Sequence, residues 1–158
     1  MQLKKKIRII TLAVGIIITL GFIWGNSCLS VQTSAEESGK VFSWLKVVFD
    51  FIFGKDVIDH NGMRKITHFC EFFLLGIEIN ALYYQLFGQN KRTILQILPV
   101  GLIVAIVDEC IQILSNRGPA VVDVLIDYVG YLTAFIVSVV FVLIMNKIIQ
   151  NRKNKKAN

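Results

Sequence analysis

Charge is scarce in this chain of 158 residues. Asp, Glu, Lys and Arg together make up 18% of it, against about a quarter in an ordinary soluble domain, while apolar residues make up 54%. Mean hydropathy is +0.62. A surface drawn from such a composition would be too apolar to stay dispersed in water, which excludes a soluble domain and points to an integral membrane protein. Cysteine is scarce too. Cys28, Cys70 and Cys110 show neither a CxxC pair nor any metal-ligand spacing, which argues against a disulfide framework or a zinc module. The net charge of +6 comes without zinc spacing, a basic helix or a stacking motif, so nucleic acid is not the expected partner. Instead the basic residues stand in short blocks at both ends and in one connection, where they act as topology signals and attract anionic membrane lipids. The two prolines lie at the edges of apolar runs, Pro99 near the start of one and Pro119 in a turn. No internal repeat is visible.

What is present is a succession of long apolar runs. Spans are expected at about residues 7–25, 66–87, 94–114 and 120–145, in one membrane domain covering 1–158. Phe22, Ile23 and Trp24 are bulky where signal-peptide cleavage needs small residues, so the first run reads as an uncleaved span. Between spans one and two lies a polar outer loop, 26–65. Inside it VFSWLKVVFDFIF, residues 41–53, is too short to cross a bilayer, and it places Val41, Leu45, Val48 and Ile52 on one helical face. It reads equally as a helix lying in the membrane interface or as one packed on the end of the bundle. Spans three and four are joined by a tight turn carrying Asn116, Gly118 and Pro119. A basic tail, 147–158, ends the chain. The expected fold class is therefore all-α: a polytopic four-helix transmembrane bundle.

With the N-terminus in the cytoplasm, four spans return the C-terminus there. The inside segments then hold Lys4, Lys5, Lys6, Arg8, Lys91, Arg92, Lys147, Arg152, Lys153, Lys155 and Lys156, and no acid. The acids are placed differently. Of the 11 in the chain, Glu71, Glu78, Asp108, Glu109, Asp123 and Asp127 fall inside spans, where charge is costly and marks either function or a buried network. At 1.5 Å of rise per residue, His68 and Glu71 on span two, Asp108 and Glu109 on span three, and Asp123 and Asp127 on span four all come within about 10 Å of the outer ends of their helices. Three helices thus deliver polar residues to one outer-leaflet slab, and a shared polar cavity open to the outer face is the expectation. The spacing agrees: His68 and Glu71 are i,i+3, while Asp108–Gln112 and Asp123–Asp127 are i,i+4. Glu78 is deeper, near mid-membrane, on nearly the same face as Glu71.

Two blocks, RKITHFCEFFLLG at 64–76 and DECIQILSNRGPAVVDVLIDYVG at 108–130, resemble signature blocks of the VanZ-like family of bacterial membrane proteins. By match, Lys65, His68, Glu71, Asp108, Glu109, Gln112, Arg117 and Asp123 occupy signature positions. Asp127 departs from the pattern, standing where the family usually has Asn. The family takes its name from a protein associated with low-level teicoplanin resistance. The resemblance implies a multi-pass protein of the bacterial cytoplasmic membrane, with a role at the cell envelope.

The expected binding cavity is Lys65, His68, Glu71, Asp108, Glu109, Gln112, Arg117, Asp123 and Asp127. Three chemistries suit it. His68, Glu71, Asp108, Glu109 and Asp123 could hold a divalent cation. One acid with His68 could do acid–base chemistry on a lipid-linked or phosphorylated substrate. Or the set is a structural network paired with Lys65 and Arg117. No Ser, Thr or Cys is convincingly paired with His68 as a nucleophile, so binding is favoured over catalysis. The expected partners are membrane lipids together with a cell-wall precursor, lipid headgroup or glycopeptide, and the rival reading is a metal-assisted membrane enzyme. The oligomeric state is not legible in the sequence.

Overall fold

The computed structural model describes residues 2–28, 60–88, 91–115 and 120–157. They form four helices: α1 (Gln2–Cys28), α2 (His60–Phe87), α3 (Lys91–Leu114) and α4 (Val121–Ala157). No strand occurs among the described residues. The segment 41–53 and Arg117 lie outside them.

Every helix overruns its predicted span. α1 continues through Asn26, Ser27 and Cys28, and α2 starts at His60, so both ends of the expected 26–65 loop are helical. The basic tail from Lys147 is likewise no separate segment, since α4 runs on through it to Ala157. The reason is physical. Hydropathy marks where a helix would be lipid-covered, whereas backbone hydrogen bonding continues until a breaker or a cap intervenes. Gly88, with φ of +70°, is such a stop: its N–H bonds the Tyr84 carbonyl at 3.0 Å and ends α2 in the left-handed conformation glycine adopts without strain.

Three of the helices contain stretches long and apolar enough to cross a membrane: Leu3–Cys28, Gln96–Leu114 and Val121–Arg152. α2, the second expected span, is less apolar because it carries His68, Glu71, Glu78 and Asn80. It is also the central helix, packing on α4 most extensively, then on α1, and touching α3. A helix surrounded by protein needs less apolar surface than one facing lipid. Between their ends the outward faces of the others are largely apolar: Ile10, Val14, Ile17, Ile18 and Phe22 on α1, Leu102, Ile103 and Ile106 on α3, and Leu125, Val129, Ile136 and Val140 on α4 are all exposed.

The apolar core, built from Ile23, Phe72, Leu75, Ile79, Ile97, Ala105 and Tyr131, holds the four helices together. Tyr131 is fully buried, and its hydroxyl donates to the Ile97 carbonyl at 3.0 Å. It fits because α3 has Gly101 at that level: a Cβ there would stand 2.2 Å from the Tyr131 ring. The preceding residue, Gly130, about 100° round α4, lies so close to α2 that a Cβ would fall 2.5 Å from the Phe69 carbonyl oxygen. Gly130 and Ala134 form a small-xxx-small stripe that lets the two backbones approach, the usual route to tight packing between membrane helices.

Candidate functional site

Polar side chains gather at one end of the bundle, where α1 and α3 finish and α2 and α4 begin. Thr19 aside, the buried polar residues Ser27, His68, Glu71, Asp108, Glu109, Gln112, Asp123 and Asp127 all belong to this end. The arrangement is inverted relative to a water-soluble protein, with acids inside and leucine-like residues outside. Only a lipid surround makes such an arrangement economical.

α1 supplies neutral donors. Asn26 Nδ2 donates to Glu71 Oε1 at 2.9 Å, and Ser27 Oγ donates to Asp108 Oδ1 at 2.6 Å. Gln112, one turn beyond Asp108 on α3, donates to Asp108 Oδ2 at 2.7 Å. Asp108 is wholly buried. The His68 imidazole, rising from α2, sits among the acids, with Nδ1 3.9 Å from Glu71 Oε2, 3.8 Å from Asp108 Oδ2 and 3.7 Å from Asp127 Oδ1. Glu71 Oε2 and Asp127 Oδ1 are buried and have no hydrogen-bond partner among the described residues.

The remaining acids are turned to other work. Glu109 Oε1 accepts from the Ala120 N–H at 2.6 Å, and the Ala120 carbonyl in turn accepts from the Asp123 N–H at 2.8 Å. A carboxylate held beside the first residues of α4 satisfies a donor that the helix cannot and complements the positive end of its dipole. Asp123 accepts from Arg64 Nη2 at 2.6 Å, an ion pair with side chains 10% and 31% exposed respectively.

The structure brings His68, Glu71, Asp108, Glu109, Gln112, Asp123 and Asp127 together at this end, Arg117 lies outside the described residues, and the arrangement differs from the expected one in three respects. The cation partner of the acids is Arg64 and not Lys65, which is half-buried and makes no ion pair among the described residues. Helix geometry could have given this: Arg64, His68 and Glu71 are i, i+4 and i+7 on one face, and Lys65 is turned about 100° away. The second difference concerns the candidate metal ligands. Glu109 and Asp123 are drawn off to Ala120 and Arg64, whereas Asp127, not in the predicted ligand set, joins His68 and Asp108 with donor atoms all within 4.8 Å of one another. Thirdly, among the described residues these groups are buried rather than lining an exposed surface. They are packed as a polar core, and the rim is left to the half-buried Arg64. Asn26 and Ser27 were not chosen as site residues from the sequence. Their one signal was position, as small polar residues ending a span just where the acids of the other helices lie. Glu78 leans towards α1 in the space left by Gly15, where a Cβ would stand 2.9 Å from its Oε1. It is two turns, about 10 Å, further along α2 than Glu71 and belongs to a different level of the bundle.

Arg64→Ala is expected to cost about 1–2 kcal/mol, between an exposed ion pair and a buried one, because Asp123 stays buried without its cation. Lys65→Ala should stay within about 0.5 kcal/mol of wild type. Unfolding of both variants in detergent checks this, and equal losses would return Lys65 to the site.

A greasy exterior around a polar core shared by four packed helices defines an all-α integral membrane protein. Within that class the chain belongs to the VanZ/LLP1 family, whose model matches residues 9–144. No curated protein and no solved structure gives a significant match.

Proposed function

We propose that this protein sits in the bacterial cytoplasmic membrane with both termini in the cytoplasm, binds the polar headgroup of a cell-wall precursor, lipid or glycopeptide at the outer face, and thereby lowers susceptibility to teicoplanin. The observation that carries the reading is the polar core at one end of the bundle, with Arg64 and Asp123 paired at its rim. The opposite end supports the orientation: Lys4, Lys5, Lys6 and Arg8 begin α1, and Lys147 and Arg152 lie in the last part of α4. Basic residues flanking spans stay on the cytoplasmic side, which puts the polar core outside. Arg64 offers a planar fork suited to a phosphate or carboxylate, and Lys65 beside it and Arg117 between α3 and α4 add positive charge for an anionic headgroup.

The reading is tested in cells. Expression of the chain in a glycopeptide-susceptible strain should raise the inhibitory concentration of teicoplanin, and Arg64→Ala or Glu71→Gln, made at equal membrane abundance, should return it to the level of the empty vector. Unchanged susceptibility in several strains, on expression and on deletion of the native gene, would remove the proposal.

A further inference from the structure

We propose that His68, Glu71, Asp108 and Asp127 form a binding site for one divalent transition-metal ion, zinc or manganese, inside the polar core. The site is defined by where its atoms point. Three helices deliver four side chains, and the oxygens of the three carboxylates lie 3.7–3.9 Å from one atom, His68 Nδ1. Two ligands each about 2.1 Å from a tetrahedral ion stand about 3.4 Å apart, so the separations from the imidazole need to close by only a few tenths of an ångström, while the donor atoms of His68, Asp108 and Asp127, all within 4.8 Å of one another, draw in by up to about 1.4 Å and Glu71 joins them from its side of the imidazole. The same separations are too long for direct hydrogen bonds.

A second observation separates an ion site from a hydrogen-bonded network. Were the acids held by shared protons, paired oxygens would be drawn to about 2.5–2.7 Å. Instead Glu71 Oε2 and Asp127 Oδ1, both buried and both facing the imidazole, have no hydrogen-bond partner among the described residues. The Asp127 side chain is 2% exposed and the Asp108 side chain wholly buried, so water does not solvate them. Glu71 Oε2 and Asp127 Oδ1 are thus buried oxygens that call for a cation or a donor.

The surrounding residues are placed as a supporting shell. Ser27 and Gln112 each hold one Asp108 oxygen, and Asn26 holds Glu71 Oε1, leaving Oε2 turned inward. Such neutral donors orient metal-binding carboxylates without neutralising them. The donor set also selects the ion. One imidazole among carboxylates suits zinc or manganese, whereas calcium asks for six or more oxygens and magnesium keeps most of its water.

The inference concerns the same polar core as the proposed function but does not depend on the envelope ligand. Metal uptake is read on purified protein and susceptibility in cells, so either can fail alone. The full-length protein in detergent, stripped with chelator, is titrated calorimetrically with zinc, manganese, magnesium and calcium, and its metal content is measured after desalting. The expected result is about one zinc or manganese ion per chain, with magnesium and calcium failing to compete. Asp127→Asn, close to isosteric, should abolish uptake, and Ser27→Ala, one shell out, should weaken it about 10–100-fold. Glu109→Gln, which still accepts from Ala120, should bind as wild type. Absence of zinc and manganese uptake overturns the proposal. So does uptake that survives both Asp127→Asn and Ser27→Ala, or uptake that is lost equally in Glu109→Gln.

Discussion

Asp108→Ala, compared with wild type in the presence of chelator, is expected to lose about 2–4 kcal/mol of stability. The estimate follows from what the carboxylate holds. Both of its oxygens are hydrogen-bonded, one to Ser27 of α1 and the other to Gln112 of its own helix, and no part of the residue is exposed. Alanine leaves two buried donors without an acceptor, each costing about 1–3 kcal/mol in a soluble core and nearer about 1 within a membrane protein. Asp108→Asn should cost less, because the amide oxygen keeps one donor while its NH2 confronts the other. Removing the donor instead, as in Ser27→Ala, leaves one buried acceptor, Asp108 Oδ1, unsatisfied, against two donors in Asp108→Ala, and should cost about 1 kcal/mol. The ordering Asp108→Ala, then Asp108→Asn, then Ser27→Ala can be read from unfolding midpoints in a single detergent. An Asp108→Ala protein as stable as wild type would mean that the polar core contributes nothing to holding α1 on α3.

The second large effect belongs to the α2–α4 contact. Gly130→Val should destabilise the bundle by about 2–3 kcal/mol or prevent its assembly. The new Cβ would meet the Phe69 carbonyl oxygen at 2.5 Å and its Cα at 3.2 Å, and these are backbone atoms that no rotamer change can move aside. α4 must then lift from α2. That movement disturbs the Arg64–Asp123 pair one way along the helix and the Tyr131–Ile97 bond the other. The substitution is not harmful through helix propensity, since valine is a somewhat better helix former than glycine. Gly21→Val isolates the steric part: nothing lies within 4 Å of a Cβ at Gly21, and α1 is exposed there. It should fold and purify as wild type. Similar losses in both variants would show that helix packing at Gly130 is looser than these distances require.

Much of the fold was legible because one strong force writes it into composition. Apolar runs long enough to cover a bilayer, separated by short polar turns, specify membrane helices whatever their partners. The polar slab was legible for a related reason. Helical rise converts position into depth, so His68, Glu71, Asp108, Glu109, Asp123 and Asp127 could be assigned to one level from three separate segments. Membership of the core thus followed from the sequence almost entirely.

Partnership within the core did not. Periodicity says which residues share a face of one helix, but it carries nothing about how that helix is rotated against its neighbours. Arg64 and Lys65 are equally good cations in the sequence, and the rotation of α2 against α4 decides for Arg64. Glu109 and Asp127 are equally good carboxylates. The α3–α4 turn brings the Ala120 N–H to Glu109, while the packing of α4 on α2 turns Asp127 to His68. Asn26 and Ser27 read as the start of a loop until α1 is seen to continue through them and lay their donors on Glu71 and Asp108. The sequence by itself determined that this is a helical membrane protein with acids buried at one end, since burial of apolar surface and the cost of charge in lipid depend on each helix alone. Only the tertiary structure decided which acid meets which donor, because hydrogen bonds act over about 3 Å and a rotation of one helix by a single residue exchanges every partner it has.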